Sequence, residues 1–223
     1  MPRPSSNRSQ DQVTLVLYED PLSPWCLIAE ARIRAALAEL PGAFELEYAP
    51  FPLRPDPRAL TKTERRAFAR AARRAAREPE AKGLKPDLWL STDPPLTSVP
   101  ALAALAAARL QGPARETALR KALRDAALVQ GVNVTRRDVL LELAERTGLD
   151  VTKFAGALTS CEIERRVRAS FEEAVDKGID GAPALVIGDE WLVAGARSTA
   201  EYVTILRRYV GARFASSPAR TLH

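Results

Sequence analysis

The stretch that most constrains this chain is Asp20-Pro21-Leu22-Ser23-Pro24-Trp25-Cys26. It follows an apolar run, Val13 to Tyr18, that reads as a strand. It opens a helical pattern in which Leu27, Ile28, Ala31, Ile33, Leu37 and Leu40 are apolar. A small polar residue, a proline and a cysteine therefore sit where a strand turns into a helix. The first N–H groups of a helix lack partners, and the aligned peptide dipoles put partial positive charge there. A thiolate placed at that point is stabilised, which lowers its pKa. The same residues also admit a purely structural reading. Ser23 is a good N-cap, Pro24 suits the first helical position, and Trp25 and Cys26 can simply be buried.

A second stretch, Gly178 to Ala196, changes that balance. Ala184 to Ile187 read as a short buried strand. Gly188-Asp189 supply a two-residue turn, and Trp191 to Val193 return as a second strand. Pro183 stands just before the first strand, a position that tolerates proline and where a cis bond is a deliberate feature.

Ser-Pro-Trp-Cys after a first strand, with Gly-Ala-Pro-Ala-Leu-Val-Ile and Gly-Ala near the other end, resembles the DsbA family of the thioredoxin superfamily. The nearest branches are similar to the FrnE-type oxidoreductases, the 2-hydroxychromene-2-carboxylate isomerases and the kappa-class glutathione transferases. The resemblance covers residues 13–212. It implies an α/β, thioredoxin-like fold with a large all-helical insertion, and it makes Pro183 the cis-proline facing the active-site helix. Residues 13–57 and 178–213 are expected to form the thioredoxin-like domain and 58–177 the helical insertion, with 1–12 and 214–223 as flexible tails. The segment Ala126 to Leu140 also resembles the insertion of the FrnE and isomerase branches, which folds over the active-site cleft.

At 223 residues the chain is long enough for one full core. Its two cysteines do not make a disulfide scaffold. The one histidine is the last residue, which removes any internal Ser-His-Asp, Cys-His or His-rich metal site, and no other residues cluster at metal-ligand spacing. No metal is expected. The first residues are polar and rich in Ser, Pro and Arg, with neither a secretory apolar segment nor a membrane-spanning run. The expected location is cytoplasmic, where stable disulfides are rare.

Pro41-Gly42 end the first helix, and Phe44 to Phe51 read as a second strand. A β-α-β order implies a parallel pair with a right-handed crossover. From Leu60 to Thr159 the pattern is helical: Thr61 to Arg77, Val99 to Leu110, Glu116 to Val129, a helix capped by Thr135 through Arg146, and Val151 to Leu158. Ser160 caps a helix from Cys161 to Lys177, and Thr199 caps the last one, with Tyr202, Val203, Leu206 and Tyr209 facing inward. Between Arg58 and Lys85 stand ten basic residues against three acids. That excess exceeds the net charge of the whole chain, +5. It reads as a solvated helix face. Without interleaved aromatics it does not point to nucleic acid.

The chemistry turns on one departure. Dithiol members of the family carry Cys-Pro-x-Cys, and here the first cysteine is Ser23. Cys26 matches the second, resolving position. A hydroxyl forms no mixed disulfide, so the dithiol cycle within one motif is unavailable. The family resemblance still assigns a thiol-disulfide oxidoreductase with Ser23 and Cys26 as catalytic residues. A serine at the first position is also similar to the kappa-class transferases and chromene isomerases, where it hydrogen-bonds the sulfur of bound glutathione. That resemblance implies a site for glutathione or another low-molecular-weight thiol formed by Trp25, Ala182, Pro183, Gly195, Ala196 and Arg197, with Arg197 toward a carboxylate. A non-catalytic binding protein on the same fold is the third reading. Cys161 is a candidate partner thiol for Cys26. The expected partners are a small-molecule thiol or disulfide, with neither membrane nor nucleic acid; homodimerisation stays open.

Overall fold

The computed structural model describes residues 12–216. Strand β1 (Val13–Glu19) leads through Ser23 into helix α1 (Pro24–Ala38), and β2 (Phe44–Pro50) follows. A helical block comes next: α2 (Lys62–Ala75), α3 (Asp87–Leu90), α4 (Val99–Arg109), α5 (Pro113–Arg124), α6 (Arg137–Arg146), α7 (Val151–Leu158) and α8 (Cys161–Asp176). The hairpin β3 (Ala184–Ile187) and β4 (Trp191–Ala194) and helix α9 (Thr199–Ser216) complete the chain. The sheet runs β2-β1-β3-β4. β1 and β2 are parallel, in register from Val13 opposite Phe44 to Glu19 opposite Pro50, and β3 is antiparallel to β1 and to β4. This is an α/β thioredoxin-like fold with added helices, as the sequence leads one to expect.

Helix α1 is apolar nearly all round because it serves two cores. Ala29, Ile33 and Ala36 pack with Leu15, Leu17, Leu185, Ile187, Tyr202 and Leu206 against the sheet. Ile28 on another face packs into the helical block with Leu88, Leu119, Leu123 and Phe154. Each fully buried aliphatic side chain contributes about 1.5–3 kcal/mol, so α1 is held from both sides and its N-terminus is fixed in place. Helix α4 has almost no polar face, and its Ala and Leu residues are buried except Ala106, which is half-buried.

Local departures from the sequence expectations have local causes. Thr135 does not cap α6. Its hydroxyl and N–H both donate to Asn133 Oδ1, at 2.6 and 3.1 Å, so the Asn side chain claims it and the helix begins at Arg137. Helix α5 starts at Pro113 and passes at Asp125–Val129 into a wider turn, in which Gln130 N–H donates to Asp125 O over 3.1 Å. Ser198, not Thr199, caps α9: its Oγ accepts from Glu201 N–H at 3.3 Å while Glu201 accepts from Ser198 N–H at 2.8 Å. Helix α9 runs to Ser216, into the segment expected to be a tail, and residues 1–11 and 217–223 lie outside the described residues. In the hairpin, Gly188 and Asp189 turn with φ of 57° and 60°, and Glu190 adds a third loop residue before Trp191 pairs with Ile187.

Candidate active site

The site is built at the start of α1. Ser23 caps the helix, its Oγ accepting from Cys26 N–H at 3.3 Å. Cys26 is wholly buried, at 0% exposure, and its sulfur accepts from Asp20 N–H over 3.5 Å. Burial pushes the thiol up to about 12, outweighing the hydrogen bonds from Ser23 and Asp20 that favour the thiolate. This reverses the low pKa expected from the helix N-terminus alone. The positive end of the helix is present, but solvent is not, and desolvation dominates.

Ser23 lines a cavity of about 140 Å³ with Asp20, Leu22, Pro24, Trp25, Arg54, Phe68, Trp89, Ser98 and Ala182 among its walls. Phe68 and Trp89 stack with ring centres 4.5 Å apart, so one side of the cavity is aromatic. Asp20 is fully buried; its carboxylate accepts from Leu22 N–H at 2.9 Å and Leu53 N–H at 2.8 Å. Burial raises its pKa against the lowering effect of Ser98 and those two N–H donors.

Of the residues that the sequence singled out, Ser23, Trp25 and Ala182 meet at this cavity. The Ala182–Pro183 peptide is cis, and Pro183 O is taken by Gly195 N–H at 2.8 Å. Ala182 is half-buried and makes no backbone hydrogen bond among the described residues. Ala196 packs beside both cores rather than lining the cavity. Arg197 is exposed and opens onto a different groove, between β4 and α9, with Trp191, Ile205 and Arg208. Both cysteines are free, Cys26 buried and Cys161 exposed at the start of α8. Asp20, Arg54, Phe68, Trp89 and Ser98 were not anticipated as site residues. Asp20 alone carried a signal, as a charge inside the motif itself.

A buried charge network lies behind α1. Glu19 at the end of β1 takes Arg120 at 2.6 Å and also pairs with Arg124, which reaches Glu30 of α1 as well. Glu30 accepts from Tyr48 at 2.6 Å and from Arg34 at 2.8 Å. Burial opposes ionisation of Glu30, but Arg124, Tyr48 and Arg34 outweigh it and hold the carboxyl at about 2. Among the described residues there is no group of His, Cys, Asp and Glu that could hold a metal ion, and no helix long and apolar enough to cross a membrane.

Residues 14–207 match the model of the DSBA-like thioredoxin domain. The chain belongs to the DsbA-like thioredoxin family. Its fold matches that of a probable DsbA oxidoreductase from Streptomyces coelicolor, with a TM-score of 0.72 over 95% of this chain and 94% of that one at 22% identity. The cytosolic disulfide reductase DsbM from Pseudomonas aeruginosa, solved with GSH, matches with a TM-score of 0.67 over 91% and 99% at 21% identity. At such identities the likeness is one of fold. The ClpXP adapter protein SpxH of Halalkalibacterium halodurans is 30% identical over 142 residues, 61% of this chain and 46% of the relative. The chain thus spans about half the length of the curated relatives it matches, 46% and 44%.

Proposed function

We propose that this chain is a thiol-dependent enzyme of the DsbA-like family that receives its reactive sulfur from a low-molecular-weight thiol such as glutathione. Ser23 is the hydrogen-bonding partner of that sulfur, and Cys26 is structural. One observation carries the reading: the serine lines the cavity while the cysteine is buried with its thiol pushed up to about 12. A bound thiol supplies the nucleophilic sulfur that Ser23 lacks. The chain contributes the hydroxyl of Ser23, the positive end of α1 and the peptide groups of Ala182. The DsbM structure with GSH supports a glutathione-sized partner on this fold, and DsbM's being a cytosolic reductase supports a reducing, cytoplasmic setting.

The test is a titration of the reduced protein with glutathione, followed by calorimetry and by the thermal midpoint. A ligand of the native state raises stability by mass action. Ser23→Ala is expected to weaken binding about tenfold, the loss of one good hydrogen bond to a charged sulfur, and Cys26→Ala to leave it unchanged. Binding that follows Cys26 instead of Ser23 would return the chemistry to a monothiol oxidoreductase. A second reading, a non-catalytic adapter, draws on the SpxH relatives at 30% and 32% identity. It gains the lead if no thiol binds and purified ClpX does.

A further inference from the structure

Arg54 is the charged group of this cavity without a counter-charge. It is 6% exposed, and among the described residues no carboxylate lies within ion-pair distance of it. The other buried arginines have carboxylate partners: Arg120 meets Glu19 and Glu116, and Arg124, whose Nε is also buried without a partner, meets Glu19 and Glu30. One terminal nitrogen of Arg54 donates to Arg58 O at 2.5 Å and Leu96 O at 2.7 Å, which pins the guanidinium in place. Its Nε is buried with no partner at all. An unpaired cation out of water is costly, and an anion placed against it removes that cost.

Asp20 does not fill this role. It lines the same cavity, but its oxygens are engaged by the Leu22 and Leu53 N–H groups, and burial favours its neutral form. Ser23 and Ser98 are the other polar side chains of the wall, and Trp25, Phe68, Ala71 and Trp89 make it largely apolar elsewhere. At about 140 Å³ the cavity matches the size that admits a benzene-sized group, on the order of 150 Å³. It takes one compact portion of a ligand rather than a whole tripeptide. Helix α2 turns Phe68 and Ala71 inward and carries Lys62, Arg66, Arg70, Arg73 and Arg74 on its opposite, exposed side, with exposed Arg77 just beyond its end, and none of them has an ion pair among the described residues. Such a ridge raises the local concentration of anions.

We propose that Arg54 is the carboxylate-recognising residue of this cavity, and that the thiol admitted is a carboxylate-bearing one, with its carboxylate on Arg54 and its sulfur at Ser23. The inference rests on the reading of Ser23 as the partner of an incoming sulfur.

Its test uses the full chain, kept reduced with a phosphine, and compares 3-mercaptopropionate with 2-mercaptoethanol and butyrate by calorimetry and thermal midpoint. The mercapto acid is expected to bind at least about tenfold more tightly than either, since each comparison removes one charge-assisted contact. Equal binding of 2-mercaptoethanol overturns the role of Arg54 while leaving the thiol reading intact. Equal binding of butyrate overturns the placement of sulfur at Ser23, and with it the thiol reading, while Arg54 keeps its carboxylate. Binding of none overturns both. Arg54→Gln is expected to abolish the preference for the acid and Arg54→Lys to restore part of it. Because Arg54 also holds two loop carbonyls, Ala71→Leu provides a second variant. It fills the cavity, leaves those contacts in place, and is expected to lose the same binding; retention of binding in a folded Ala71→Leu protein overturns the assignment to this cavity.

Discussion

Arg120 on α5 donates to Glu19 at the end of β1 over 2.6 Å, with the two side chains 4% and 2% exposed. The contact joins the helical block to the sheet at the level of the site, and the guanidinium also lies 3.7 Å from the centre of the Tyr48 ring. Removing Arg120 leaves Glu19 with Arg124 as its remaining partner, which puts the cost at the low end of the range for breaking a buried pair, about 3 kcal/mol. Arg120→Met is therefore expected to destabilise the protein by about that amount in denaturant unfolding, and pairing it with Glu19→Gln to recover part of the loss. A near-neutral Arg120→Met would show that the network contributes little to stability.

Glu30 gives the network a pH signature. Its folded pKa, about 2, lies below the ordinary 4.5 despite burial, because Arg124, Tyr48 and Arg34 favour the carboxylate. A depressed acid stabilises the fold fully above its unfolded pKa and loses that contribution as pH falls toward the folded value. Between about pH 4.5 and 2 the protein is expected to lose about 3 kcal/mol through this one group. Glu30→Gln should flatten that part of the stability curve. An unchanged acid limb in Glu30→Gln would contradict the assignment.

Gly188 is required by both its backbone and its neighbour. Its φ is 57°, and an added Cβ would lie 2.0 Å from Tyr209 Oη. Tyr209 is 4% exposed and packs edge-on against Trp191 with ring centres 5.3 Å apart, so it has little freedom to withdraw. Gly188→Ala is expected to destabilise by about 2 kcal/mol or more, from the left-handed backbone alone and then from the clash. Asp189→Gly, at φ 60°, should be neutral or slightly stabilising. Equal thermal midpoints for Gly188→Ala and the natural protein would remove this account of the turn.

Much of this was legible because it is local. The run Val13 to Tyr18, the proline after Ser23 and the small residues around Pro183 specify strands, a helix start and a hairpin without reference to the rest of the chain. The arrangement of the cavity was not, because its walls come from distant segments. Arg54 sits among prolines in a stretch that reads as a surface loop, yet Thr97 and Ser98 fold back to it, with Thr97 Oγ1 donating to Arg54 O at 2.7 Å. Trp89 lies on the short helix α3, and no periodicity announces that Phe68 stacks on it. Cys26 shows the opposite failure. A helix N-terminus predicts an acidic thiol from the motif alone, and only the packing of α1 between two cores reveals that water is excluded.

That exclusion yields the last prediction. Cys26 has 0% exposure and a thiol pushed up to about 12, whereas Cys161 is exposed. Since the thiolate is the reactive form, iodoacetamide at neutral pH should label Cys161 of the native protein and reach Cys26 only as the protein unfolds, as read by mass spectrometry. The same burial acts on stability. A thiol raised from 9.0 to about 12 on folding ionises more readily in the unfolded chain, so its contribution is intact below pH 9.0 and is lost progressively above it. Cys26→Ala should therefore leave stability less sensitive to alkali between about pH 9 and 12 than in the natural protein. Labelling of native Cys26 as fast as Cys161, together with an unchanged alkaline limb in Cys26→Ala, would show that the motif thiol is accessible and return it to the centre of the chemistry.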